Sequence, residues 1–137
     1  MKYFYSLLFF FIFSMHSTSH ADEVIALGTP LIKIESSFES TKRYELSESE
    51  MSEYILVIVF SGKEIRWKSR NNKLLTYTRS GAFHHFVNEG GSGYIKIGDI
   101  SQFTGGSEKQ YLYIEHMHLG FSTITYWGVI DSFLFGE

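Results

Sequence analysis

Short turn motifs recur along this chain roughly every ten residues, and this spacing is the feature that most restricts the fold. Runs rich in β-branched and aromatic residues separate Ser61-Gly62, Asn71-Asn72, Ser80-Gly81 and Gly90–Gly93. Turns about 8–12 residues apart, with such runs between them, are typical of antiparallel sandwiches and small barrels. The sequence therefore predicts an all-β domain, either an antiparallel β-sandwich or a small barrel.

Three local patterns refine this prediction. Gly28-Thr29-Pro30 is expected to interrupt the first apolar run, and the seven apolar residues Tyr54–Phe60 are expected to form a central strand. Between them lies the polar stretch 39–53, in which Ser47 and Glu50 have the spacing of a helix-capping box. We predict one short helical turn near residues 47–53, with a solvated loop as the alternative.

Residues 1–21 have the three parts of a secretory signal peptide. Lys2 gives a positive start, an apolar run of 12 residues extends from Phe4 to Met15, and small residues occupy Ser19 and Ala21. A membrane-spanning helix needs about 20 apolar residues, so a transmembrane anchor is the weaker interpretation. We expect cleavage after Ala21, a single β-rich domain over residues 22–137, and a periplasmic or secreted location.

The composition of residues 22–137 restricts the partners. The chain has no cysteine, so it can form neither a disulfide nor a lipoprotein-type lipid anchor. Eleven Lys and Arg residues against fifteen Asp and Glu residues give a net charge of −4. A mildly acidic domain has no general attraction for nucleic acid or for an anionic membrane. We expect another protein as partner, no nucleic acid, and no stable membrane anchor after signal cleavage.

Two histidines two residues apart are the candidate metal ligands. His116 and His118 lie in a predicted strand, so both project from one face. Two imidazoles at this spacing can share a divalent metal ion, and His84 or His85, on another predicted strand, is the candidate third ligand. Glu115 points to the opposite face and is a poor ligand candidate. The alternative is that the histidines are packed or exposed side chains without metal, and no other cofactor is indicated.

A basic strand is the second candidate site. Arg66, Lys68 and Arg70 alternate with Ile65 and Trp67, so the three cations are predicted to share one face of a strand. This face would suit an acidic protein, a glycan or a lipid headgroup. The alternative is the ordinary solvent face of an antiparallel strand, where Lys and Arg also discourage edge-to-edge pairing.

Aromatic residues form the third candidate site. Tyr126 and Trp127 of the last predicted strand point to opposite faces, so this strand is either central in the domain or covered by a partner. Core packing is the preferred interpretation, and an aromatic contact patch is the alternative. Loop-borne contacts are predicted at four further residues: Phe83, Phe86, Gln102 and Phe103.

The sequence carries no recognisable catalytic motif. Gly90–Gly93 lacks the following Lys-Ser/Thr of a phosphate-binding loop, and Gly120–Ile124 lacks the second glycine of a nucleophile elbow. We therefore predict an exported binding protein of the bacterial envelope that acts by protein–protein contact, as an enzyme inhibitor or an immunity protein does. One alternative is a metal-binding protein or metal-dependent hydrolase using His116 and His118. A further alternative is a secreted toxin or membrane-surface binder.

Overall fold

The computed structural model describes residues 21–136, apart from the side chain of Gln102. The predicted signal peptide lies outside the described residues except for Ala21, so its cleavage stays a prediction. The described part contains β1 (Glu23–Ser36), β2 (Thr41–Glu45), α1 (Glu48–Glu53), β3 (Leu56–Ser61), β4 (Glu64–Trp67), β5 (Lys73–Ser80), β6 (Phe83–Asn88), β7 (Gly93–Asp99), α2 (Ser101–Thr104), β8 (Tyr111–Leu119) and β9 (Ser122–Phe133).

Eight of these strands close into an antiparallel β-barrel. The order of hydrogen-bonded neighbours is β1-β3-β4-β5-β6-β7-β8-β9, and β9 pairs again with β1. β2 pairs only with Ile32–Ser36, the part of β1 that extends beyond β3. The predicted all-β antiparallel fold is confirmed, and the barrel is the architecture that forms. Within residues 21–136, neither helix is long and apolar enough to cross a membrane.

Alternation along the strands sorts the side chains into the barrel interior and its outer face. An eight-stranded barrel has an interior just wide enough for side chains to fill. Here Trp67, Tyr113 and Phe86 are the largest fully buried residues. The remaining buried core residues are mostly aliphatic: Ile25, Ala26, Leu56, Ile58, Leu75, Ile95 and Ile97.

The C-terminal residues close one end of the barrel. The Phe135 ring packs 4.9 Å from the Tyr77 ring and 5.9 Å from the Phe60 ring, measured between centroids. The Tyr111 hydroxyl donates to the Gly136 carbonyl oxygen at 2.7 Å, which holds the tail in place. The end nearest the β3–β4 and β5–β6 turns is therefore filled by aromatic rings.

Two glycines allow β1 and β9 to close on each other. A Cβ atom on Gly28 would lie 2.6 Å from Cε1 of Tyr113, and a Cβ on Gly128 would lie equally close to the same atom. A Cβ on Gly128 would also clash with the backbone carbonyl oxygen of Thr29. The Tyr113 ring therefore occupies the space beside Gly28 and Gly128, where β1 pairs with β9.

The capping box and the asparagine turn are confirmed. Ser47 caps α1, and both hydrogen bonds of the box with Glu50 are formed. Asn71 and Asn72 both adopt a φ of 55°, in the left-handed region that asparagine tolerates. The helical turn α2, which lies between β7 and β8, was not predicted.

Other strand boundaries differ from the predictions. β1 continues through Pro30, because the register against β9 shifts between Pro30 and Ile32, and a bulge tolerates a residue without an amide hydrogen. β3 begins at Leu56 rather than at Tyr54. The polar stretch 39–53 contains β2, whose five residues are all exposed and therefore show no apolar alternation.

Candidate functional site

A buried ion pair lies inside the barrel and joins β8 to the turn after β4. Glu115 is 0% exposed. Its Oε1 atom accepts a hydrogen bond from Nη2 of Arg70 at 2.6 Å, and its Oε2 atom accepts one from Nε1 of Trp67 at 2.7 Å. Arg70 also donates to the backbone carbonyls of Tyr54 and Ser69. The donors Trp67 and Arg70 replace the water that burial removes from the carboxylate, and the two carbonyls do the same for the guanidinium.

Burial dominates the electrostatics of this cluster. It raises the pKa of Glu115, while the Arg70 guanidinium and the bond from Trp67 act in the opposite direction. Burial also raises the pKa of Tyr113, whose hydroxyl has no hydrogen-bond partner among the described residues. Solvent does not reach Glu115, so this ion pair links β8 to the turn after β4 within the barrel interior.

The predicted cationic face is wrong, because Arg70 turns inward. β4 ends three residues before Arg70, so the alternation of a strand no longer applies in the turn. Arg66 and Lys68 stay on the outside, each beside an acidic side chain. Arg66 pairs with Glu64, and Nζ of Lys68 lies 3.2 Å from a carboxylate oxygen of Asp22. Their role as contact residues remains a prediction.

Phe86 and Tyr126 are core residues, so neither is available to a partner at the surface. Phe86 faces the barrel interior from β6 rather than lying in a loop, and Tyr126 stacks on Tyr54 with ring centroids 5.3 Å apart. The preferred interpretation of Tyr126 is confirmed. Trp127 faces outward and is 44% exposed.

Two other predicted contact residues, Phe83 and Phe103, lie elsewhere on the surface. Phe83 is on the outer face of β6 instead of in a loop, with Nζ of Lys96 4.2 Å from its ring centroid. Gln102 and Phe103 lie in α2, and the Phe103 side chain is exposed. The predicted contact residues therefore do not form one surface.

The four described histidines do not assemble the predicted three-ligand set. His84 points into the barrel, where its Nδ1 lies 2.7 Å from the Tyr77 hydroxyl and burial lowers its pKa. His116 and His118 lie on the outer face of β8. His85 also faces outward but is two strands away, roughly 10 Å at the usual strand spacing. No group of three potential ligands occurs among the described residues, so the expected third ligand is wrong.

A continuous uncharged surface covers the outer face of β1, β9 and β8. The register places Ile32, Trp127 and Ile114 side by side across the three strands. Eleven outward residues form this surface, which we call the uncharged wall: Ile32, Ile34, Ser36, Leu112, Ile114, His116, His118, Thr123, Thr125, Trp127 and Val129. Trp127 lies near its centre.

Charged side chains occur at the borders of the uncharged wall. Arg43 and Glu45 of β2 flank it on one side, and Lys96 of β7 flanks it on the other. Asp131 lies near the end of β9. Sequence reasoning identified Trp127 but missed the surface around it, since the lack of charge becomes visible only when β1 is known to lie beside β9.

Two exposed hairpin tips stand at one end of the uncharged wall. Ser36 of β1 pairs with Thr123 of β9, so the β1–β2 turn and the β8–β9 turn are neighbours. Phe38 and Phe121 occupy these turns, and both side chains are fully exposed. Fully solvated phenyl rings at adjacent tips extend the apolar surface beyond the barrel.

No model of a known protein family matches this chain, and no curated protein or solved structure was found to be similar to it.

Proposed function

We propose that this protein is an exported binding protein that acts by protein–protein contact through the uncharged wall. In this proposal it occludes its partner, as enzyme inhibitors and immunity proteins do. The observation that carries the proposal is that three adjacent strands present eleven outward side chains without a formal charge, with Trp127 near their centre. Interface cores are depleted in charged residues, enriched in aromatic residues and surrounded by a polar rim.

The contrast with β4 supports this interpretation. β5 and β6 also lack outward charges, so the wall is distinguished by its width of three strands and by Trp127 near its centre. A solvated face of an antiparallel sheet normally carries polar and charged residues. β4 follows this rule, with Glu64 and Arg66 paired on its outer face. The uncharged wall departs from it because none of its side chains carries a formal charge, and an exposed aromatic residue such as Trp127 within such a surface is typical of an interaction site.

Two other modes of binding have less support. A small molecule held inside the barrel would have to displace Trp67, Tyr113 or Phe86, which fill the interior. A binder of anionic membranes would be expected to surround its aromatic tips with cations. Here the borders of the wall carry charges of both signs, namely Arg43, Glu45, Lys96 and Asp131.

Site-specific photo-crosslinking tests the proposal. We would place a benzoylphenylalanine at position 127 in the full chain and irradiate the envelope fraction of its native host. Leu74 is the matched control, since it is also 44% exposed and also lies on the outer face, on β5. We expect one protein adduct of defined mass from position 127 and none from position 74.

The purified partner then allows a quantitative comparison. Trp127→Arg should weaken binding by more than about tenfold, because it buries a charge at the centre of the contact, whereas Leu74→Arg should leave the affinity unchanged. Adducts to lipid alone, or equal adducts at both positions, would overturn the protein-contact proposal. The export component has its own test, because the native product should begin at Asp22 by mass spectrometry.

A further inference from the structure

Two histidines of the uncharged wall are placed to bind one metal ion. His116 and His118 project from the same face of β8, and their ring centroids lie 4.9 Å apart with the planes at 82°. Two nitrogens bound to one ion at about 2.0–2.1 Å are themselves roughly 3 Å apart. His118 is exposed, so its ring can turn about its side-chain torsions toward the His116 ring without a change in the strand.

The surroundings of His116 fix the orientation of its ring. Thr125 lies directly opposite on β9, and its hydroxyl oxygen is 2.7 Å from Nδ1 of His116. On the other side the Tyr94 ring stacks on the imidazole, with centroids 5.2 Å apart. In the tautomer that carries its hydrogen on Nδ1, His116 donates to Thr125 and keeps the lone pair of Nε2 free, which is the arrangement that orients histidine ligands in metal sites.

The local charge also permits a cation. The outward residues of β8 and of β9 as far as Val129 are uncharged, and the residue opposite His116 on β7 is Tyr94 rather than Lys96. A divalent ion at this place would therefore meet no cationic side chain directly across the strands. Imidazole ligands select Cu²⁺, Ni²⁺ and Zn²⁺ over Mg²⁺ and Ca²⁺, with Cu²⁺ bound most tightly.

We propose that His116 and His118 form a surface site for a divalent transition-metal ion, with Thr125 as a positioning residue and water completing the coordination. This site differs from the three-histidine set expected from the sequence, since His84 and His85 take no part in it. It does not depend on a protein partner, and it goes beyond the proposed function.

Titration of the untagged full chain with copper(II) chloride alone tests the site. We expect one Cu²⁺ ion per chain, with electron paramagnetic resonance showing coupling to imidazole nitrogens. His118→Ala should raise the dissociation constant by at least about tenfold, because it removes one of two protein ligands. His85→Ala is the matched control, since it removes an outward histidine from another strand, and it should leave the dissociation constant unchanged.

Three further variants separate the site from a general effect on folding. Thr125→Val should weaken Cu²⁺ binding by about tenfold and Thr125→Ser should restore it, because only the hydroxyl is needed. Trp127 is diagonal to His116 on the same face, so bound Cu²⁺ should quench its emission. Trp127→Phe should remove most of that quenching while the dissociation constant from electron paramagnetic resonance stays the same.

Binding of less than one ion per chain, or an unchanged dissociation constant in both His116→Ala and His118→Ala, would overturn this proposal. His118 is exposed, and far-UV circular dichroism would verify that its replacement keeps the fold. Because the ion is the only ligand added, failure here would leave the protein-contact proposal standing, and the crosslinking result would not affect the metal site.

Discussion

Replacement of Arg70 by methionine should destabilise the barrel strongly and in a pH-dependent way. The change leaves Glu115, which is 0% exposed, with a single side-chain partner, Nε1 of Trp67. Removal of one member of a buried ion pair typically costs about 3–5 kcal/mol. The Glu115 carboxylate can become neutral by binding a proton. At pH 7, protonating a carboxylate that has the ordinary Glu pKa costs about 3.5 kcal/mol. We therefore expect a loss of about 3–4 kcal/mol at pH 7.

The sign of the pH dependence follows from the direction of the pKa shift. Burial raises the pKa of Glu115 in the folded state, and loss of the Arg70 charge should raise it further. A group whose pKa is higher in the folded state than in the unfolded state stabilises the fold at any pH below its unfolded-state pKa. This stabilisation is lost as the pH rises through the folded-state pKa. The penalty for Arg70→Met should therefore shrink as the pH falls from 7 to 5, where protonation costs only about 1 kcal/mol.

Urea unfolding, followed by far-UV circular dichroism at pH 7 and pH 5, measures this free energy. Arg66→Met is the matched control, because Arg66 pairs with Glu64 on the outer face and should contribute about 1 kcal/mol or less. Arg70→Met combined with Glu115→Gln should recover part of the loss, since no charge is then left buried. A penalty below about 1 kcal/mol at pH 7, or one that does not change with pH, would refute the assignment of a desolvated pair.

Three further changes test other parts of the fold. Gly128→Ala should lower the free energy of unfolding by about 3 kcal/mol or more, because the new Cβ would clash with the Thr29 backbone and the Tyr113 ring. Gly106→Ala is its control in the same urea assay and should lower this free energy little, because the nearest atom to a Cβ there is 3.5 Å away. Phe135→Ala should lower the free energy of unfolding by about 2 kcal/mol, since it opens the aromatic end of the barrel, and Leu134→Ala, which truncates an exposed side chain, should lower it much less. Burial lowers the folded-state pKa of His84, so protonation of this residue should destabilise the fold as the pH falls below 6.5. His84→Gln removes the titrating ring and should therefore reduce that loss of stability. An unchanged pH profile in this last variant would contradict the assignment.

Local patterns predicted the elements whose causes are local. The capping box of Ser47 and Glu50 and the turn at Asn71-Asn72 depend on residues close in sequence, and both formed as expected. Strand alternation placed Trp67 inside and Arg66 outside. It failed for Arg70, because β4 ends first and the buried Glu115, distant along the chain, attracts the guanidinium.

The sequence by itself determined that the chain forms antiparallel strands, since period-two alternation and turn residues act within a few positions of one another. Only the tertiary structure decided that β9 returns to β1, which makes a barrel rather than a sandwich. The same pairing brings Ile32 and Ile34 beside Trp127 and so completes the uncharged wall. Contacts between strands about 90 residues apart depend on how the whole core packs, and no local pattern specifies them.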